Sequence, residues 1–382
     1  MAFQDAQAQT ISKMATQAGA AMQNVFEDLG FQFDPFLHLD ASKDRRLHEY
    51  LVTPNNVSIA WSDNPVAIFA LPGGGKSALR MYTEQIYRDS RGVNFAIPCL
   101  PGTYSAEPGF HEGMLKQAIA RAVLIFLFSY PEILNEFPPG DKIKITSILG
   151  HLPYNLSFLL GLVKSGGQIE QLEELLGMNA FSGIKSFGQA HLQLADNLLI
   201  SKPEMKAPDV ETCLRLIKTL LGARSIHFLL DGLDGFTETA DPLVLMNWIS
   251  PLLEKVDAWA DQRIYLKFFL PMESSSLAKD CQPRSLRSEI LTWDDELLGA
   301  VIRRRIYIAS GNHFGSLDAI SAPGMNEVEL QIARGLSQNA KLPRQMILRT
   351  RAVLLAAAQD TEGLVQPKHL RQAGEVIDAT KS

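Results

Sequence analysis

Val66-Ala67-Ile68-Phe69-Ala70-Leu71-Pro72-Gly73-Gly74-Gly75-Lys76-Ser77 decides how this chain folds. Its first half is an uninterrupted apolar run, the pattern of a strand buried on both faces of a parallel sheet. Its second half leads into Ala78-Leu79-Arg80-Met81-Tyr82, which has helical spacing. A strand, a glycine-rich turn, Gly-Lys-Ser and then a helix form the context of a phosphate-binding loop. Consecutive glycines let backbone N–H groups converge on an anion without Cβ obstruction. The helix N-terminus behind them adds roughly half a positive charge. The stretch Pro72, Gly73, Gly74, Gly75, Lys76, Ser77 and Ala78 is therefore expected to wrap a nucleoside triphosphate, ATP. Lys76 would serve the β- and γ-phosphates and the Ser77 hydroxyl a Mg²⁺ ion. Ala70 stands where the usual pattern begins with glycine.

A second decisive stretch lies far downstream, at Ser225-Ile226-His227-Phe228-Leu229-Leu230-Asp231-Gly232-Leu233-Asp234-Gly235. It reads as another fully buried strand with Asp231 at its carboxyl end. Ligands of open parallel sheets bind beyond that end, so Asp231 is expected to share the Mg²⁺ with Ser77. Asp234 is the next carboxylate on the same turn. It is either the group that orients an attacking water or a structural turn residue. Two more strands are expected, over 93–98 and over 264–270. The second is closed by Pro271, and beyond it only Glu273 and neighbouring serines are available to sense a γ-phosphate.

Between the strands, residues 111–130 predict a long apolar helix ending before Pro131. Residues 142–220 predict a helical insertion broken at Gly150-His151-Leu152-Pro153, at Gly166-Gly167 and near Gly183. From Leu291 onward the pattern is helical, with Pro367 opening the last helix. Ile11, Met14, Ala18, Met22 and Val25 predict an amphipathic N-terminal helix that either packs on the body or serves an oligomer contact. The expected organisation is an N-terminal helix over 1–32, an α/β core over 33–275 with a mostly parallel sheet and a helical insertion at about 111–220, and an all-helical lid over 290–382.

Composition narrows the function classes. The 382 residues are 46% hydrophobic and 20% charged, ordinary for a globular protein. A net charge of −6 exerts no global pull toward nucleic acid. Residues 334–382 hold eight bases and four acids, either a basic patch or one solvated helical face. The three cysteines match no metal or disulfide spacing. No apolar run approaches the ~20 residues of a membrane span. A soluble, cytoplasmic protein is expected.

Gly-Gly-Gly-Lys-Ser at 73–77, Leu-Leu-Asp-Gly-Leu-Asp-Gly at 229–235 and Leu-Pro-Arg at 342–344 together resemble the AAA-like branch of P-loop ATPases. They are most similar to its NACHT-type signal-transduction members, found in prokaryotic defence and mobile-element systems. There the second motif commonly closes on glutamate, where this chain has Gly235. The resemblance implies an ATP-binding, slowly hydrolysing switch or motor subunit that forms a homo-oligomer or acts with a separate effector protein, including in antiviral defence. It also implies that Arg344 contacts the γ-phosphate from a lid helix. Arg284, Arg287 and the run Arg303, Arg304 and Arg305 are the arginines available to act across a subunit interface. The alternative is an ATP-gated DNA-binding protein of the transposition or replication-initiation type. The acidic balance and the short chain after Pro343 make nucleic acid the less favoured partner. A small-molecule kinase fits the two-aspartate motif and the helical lid less well.

Overall fold

A computed structural model describes residues 25–177, 180–181, 184, 186–200, 207–280, 283–360 and 362–379. Most of the predicted N-terminal helix, up to Met22, and the break near Gly183 lie outside the described residues. The chain forms two compact units. One comprises Asn55–Pro72 and Lys76–Leu291; the other comprises the segment up to Pro54, Gly73–Gly75 and Thr292–Ser382.

The first unit is built on a five-stranded sheet in the order β2-β3-β4-β1-β5. The strands are β1 (Val66–Ala70), β2 (Asn94–Cys99), β3 (Ser225–Leu230), β4 (Ile264–Pro271) and β5 (Arg287–Ile290). Every pairing is parallel, so the fold is α/β with a wholly parallel sheet. β1, β3 and β4 are buried at every residue, which explains their continuous apolar runs. β5 is the exception to the sequence reading. It pairs only with β1, and its residues are exposed or half-buried, so Arg287-Ser288-Glu289 carries no apolar signal.

Helices of seven residues or more are numbered in chain order. In this unit they are α1 (Lys76–Asp89), α2 (Phe110–Ser129), α3 (Pro139–Ile148), α4 (Leu156–Lys164), α5 (Ile169–Leu176), α6 (Gln189–Ile200), α7 (Val210–Leu220) and α8 (Pro242–Leu253). Helices α2 to α7 are the expected insertion between β2 and β3. α2 is buried almost all round, from Leu115 through Phe128, because β2 and the insertion helices enclose it. The other face of the sheet carries α1, with Leu79 and Tyr87 packed on Ile68, Leu229 and Phe269. Cys99 and Cys213 are buried and free, as small core residues should be.

The second unit contains α9 (Asp295–Ala309), α10 (Val328–Arg334), α11 (Pro343–Ala358) and α12 (Pro367–Ala379). Its core joins Leu298, Ile302, Ile306, Met346 and Leu354 to Phe26, Phe31 and Phe36. Residues 33–54, expected with the sheet, therefore group with the C-terminal helices. Polar anchors reinforce the grouping. Arg351 donates to Asp34 at 2.9 Å, and Arg305 lies over the Tyr50 ring at 4.3 Å and 3.5 Å from Asp44. Among the described residues no single helix is long and apolar enough to cross a membrane.

Candidate active site

Within the loop, Gly73 and Gly75 adopt φ of +82° and +94°. Side-chain-bearing residues avoid that region, so two of the three consecutive glycines are demanded by the backbone itself. Lys76 is the first residue of α1, at the end where the helix dipole is positive. The lysine is only 5% exposed. Its ammonium donates to the Ala70 carbonyl at 3.0 Å and lies 3.0 Å from Asp234 Oδ2. A buried ammonium requires such acceptors, and both are protein oxygens.

Asp231 follows β3 directly and is 2% exposed. Its amide donates to the Cys99 carbonyl, which fixes the backbone at the strand end. One carboxylate oxygen lies 3.5 Å from Arg80 Nε. The other, Oδ1, is buried with no hydrogen-bond partner. Such an orphaned acceptor is costly unless something occupies it. Gly232, at φ +83°, then turns the chain into a short 3-10 turn over Leu233–Gly235. Thr239 closes that turn by donating to the Leu233 carbonyl. Asp234 stands on it with its side chain 36% exposed, free to leave Lys76 without opening the core.

Arg80 is a residue the sequence reading did not single out. It is 5% exposed and bonds Glu84, which also accepts from Arg88. The i, i+4 series Arg80, Glu84 and Arg88 was visible, but such spacing ordinarily marks a solvent-facing helix. Here it forms a chain of charges ending on Asp231.

The remaining expected residues are placed as follows. Ser77 is the second residue of α1, half-buried beside Lys76. Arg344 is the second residue of α11 and is exposed; its amide lies 3.4 Å from the Gly73 carbonyl. The Trp293 indole donates to the Gly74 carbonyl at 3.0 Å. Beyond β4, Ser274 is fully buried and its hydroxyl donates to the Pro271 carbonyl, so the exposed Glu273 and Ser276 and the half-buried Ser275 remain there. Of the arginines considered for action in trans, Arg305 is excluded by its burial against Asp44 and Tyr50. Arg304 donates to the Glu49 carbonyl. Arg284 and Arg287 are exposed.

The arrangement fits a magnesium-bound polyphosphate. A pre-formed glycine loop opens a helix, a buried lysine is held by exchangeable oxygens, and a buried carboxylate keeps one oxygen unused. No family model matches the chain, and no curated protein matches it either.

Proposed function

We propose that this chain binds ATP through the loop Pro72 to Ala78 and hydrolyses it slowly, as a switch or motor subunit that self-associates or acts on a partner protein. The observation that carries the reading is the pairing of Lys76 with Asp234 at 3.0 Å, next to the orphaned Oδ1 of Asp231. Ser77 and Asp231 are the residues that would hold Mg²⁺, whose charge would offset that building on the phosphate oxygens. Lys76 exchanges one anionic partner for another, moving from Asp234 to the phosphates. Asp234, freed by that exchange and exposed on its turn, becomes available to accept a proton from water. Arg80 stands behind Asp231, its Nε 3.5 Å from Oδ2, and orients that carboxylate. Placing β4 between β1 and β3 supports the AAA-like reading, because a residue beyond β4 neighbours both the loop strand and the carboxylate strand.

Turnover of the purified full chain, alone and with the product of the neighbouring gene, tests the proposal alongside Lys76→Ala, Asp234→Ala and Arg344→Ala. Mass photometry on the same samples reads assembly. Turnover that appears with assembly and is lost in Lys76→Ala and Asp234→Ala supports the switch reading. ATP binding with unchanged turnover in Asp234→Ala would remove Asp234 from the chemistry. Arg344→Ala tests the γ-phosphate arginine that the resemblance implies.

A further inference from the structure

A cavity in the sheet-bearing unit lies apart from the glycine loop. It encloses about 810 Å³, within the size range of small-molecule sites. It opens among the segment following β2, the starts of α2 and α7, and the exposed flank of α8. Its lining shares no residue with the loop, Asp231 or Asp234. β2, which leads into it, stands three strand positions from β1 in the sheet, about 14 Å at ordinary strand spacing.

One wall is aromatic and pre-organised. Trp248 is 4% exposed, and its indole N–H is fixed on the Ser105 carbonyl at 2.9 Å. The His111 ring packs against it at 4.5 Å and Tyr104 at 6.5 Å. His111 Nε2 is buried without a partner, and burial holds the imidazole below its ordinary pKa. The ring is therefore neutral near pH 7, with an uncommitted nitrogen.

The other wall is acidic. Glu107, Glu112, Asp209 and Glu211 line the cavity, with Lys255 as the one basic lining residue. Two of the acids have structural duties: Asp209 caps α7 by accepting from the Thr212 amide, and Glu112 pairs with Lys116. Neither Glu107 nor Glu211 belongs to an ion pair among the described residues. The N-termini of α2 and α7 contribute only about half a positive charge each. Lys255 lies 5.6 Å over the Trp259 ring, already using that face. The balance is negative, and aromatic faces favour cations further.

We propose that this cavity is a second binding site, for a small cationic ligand with an aromatic or apolar body: an amine or guanidine whose body packs on the half-buried Tyr104 and His111 backed by Trp248 and whose charge lies toward Glu107 and Glu211. The site does not depend on the nucleotide reading. A ligand of this class is a fitting input for a switch, because the cavity is framed by the connections that follow β2 and precede β3, the strand bearing Asp231.

Tryptamine and indole-3-acetate share one aromatic body and carry opposite charges, so they are the probes, titrated calorimetrically into the full chain. Tryptamine is expected to bind and indole-3-acetate to bind at least about tenfold more weakly. Glu107→Gln/Glu211→Gln, altering two exposed side chains, is expected to weaken tryptamine about tenfold and steepen nothing for the acid. Lys76→Ala is expected to leave tryptamine binding unchanged. Equal or tighter binding of indole-3-acetate would overturn the proposal, showing that the helix N-termini and Lys255 govern the cavity. Loss of tryptamine binding in Lys76→Ala would overturn it by moving the site to the loop. So would no binding of either probe below about 1 mM.

Discussion

Two buried lysines sit at opposite ends of the same sheet, and they have opposite solutions to the same problem. Lys76, beyond the carboxyl end of β1, is 5% exposed and faces a carboxylate that stands on an exposed turn. Lys267, midway along β4 and level with Val66 at the amino end of β1, is completely buried and is bonded by carbonyls rather than a carboxylate. It donates to the carbonyls of Ser62 and Asn64 at 2.7 and 3.1 Å. Burial pulls its pKa down from 10.5 to about 7, a fall that Asp63 only partly opposes. Its neighbour His227 stacks on Tyr87 at 4.0 Å and is pushed well below its ordinary pKa, first by burial and then by Lys267. Asp63 lies 3.6 Å from that ring, yet the neutral imidazole makes this a contact rather than an ion pair. One end of the sheet carries a charge whose partner can be exchanged. The other carries a clamp that ties residues 62–64 to β4 and has nothing to exchange.

The largest expected effect concerns the carboxyl end. Arg80→Ala strands Asp231 in the interior without its cation, while Glu84 keeps Arg88, a loss of about 3–5 kcal/mol for a buried pair. Urea unfolding reads it, and Arg80→Ala/Asp231→Asn should recover part of the loss. A loss below about 1 kcal/mol would mean that Arg80 is solvated and positions nothing.

The amino end is expected to show itself through pH. A lysine whose folded pKa is depressed binds fewer protons folded than unfolded between about 7 and 10.5. Stability therefore rises with pH across that window. His227, held neutral when folded, adds a loss of stability as pH falls through 6.5, its ordinary value. Unfolding midpoints of the wild type should climb from pH 6 to about 9, above which the buried thiols of Cys99 and Cys213, raised from 9.0 to about 12, oppose the rise. Lys267→Met should flatten the alkaline part and His227→Phe the acid part. A midpoint independent of pH between 6 and 9 would place water beside Lys267 and dissolve the contrast with Lys76.

The smallest effect returns to Lys76. Asp234 is half open to solvent, so Asp234→Asn should change stability by no more than about 1 kcal/mol, whatever it does to turnover. A loss of several kcal/mol would make the pair a structural clamp like the one around Lys267.

β1, β3 and β4, with the two aspartates that follow β3, were legible in the sequence because continuous apolar runs mark strands covered on both faces; β2, an edge strand buried at alternate residues, showed through Phe95 and Ile97. β5 was not legible, since its four residues Arg287–Ile290 are exposed or half-buried and carry no apolar run. Nor was the grouping of residues 33–54 with the C-terminal helices, which rests on Phe31 and Phe36 burying against residues more than 250 positions away. Lys267 had a visible signal, a single lysine inside Ile264-Tyr265-Leu266-Lys267-Phe268-Phe269-Leu270. Arg80 had less, because nothing local distinguishes a helix arginine that faces solvent from one that reaches a distant strand end.

The most direct test is calorimetric titration of the full chain with ATP and Mg²⁺, beside Lys76→Ala and Asp231→Asn. The account predicts saturable binding by the wild type, loss of binding in Lys76→Ala by on the order of a hundredfold, and loss of the magnesium dependence in Asp231→Asn. Undiminished ATP binding by Lys76→Ala would contradict it, leaving the glycine loop as a turn and the Lys76–Asp234 pair as part of the scaffold.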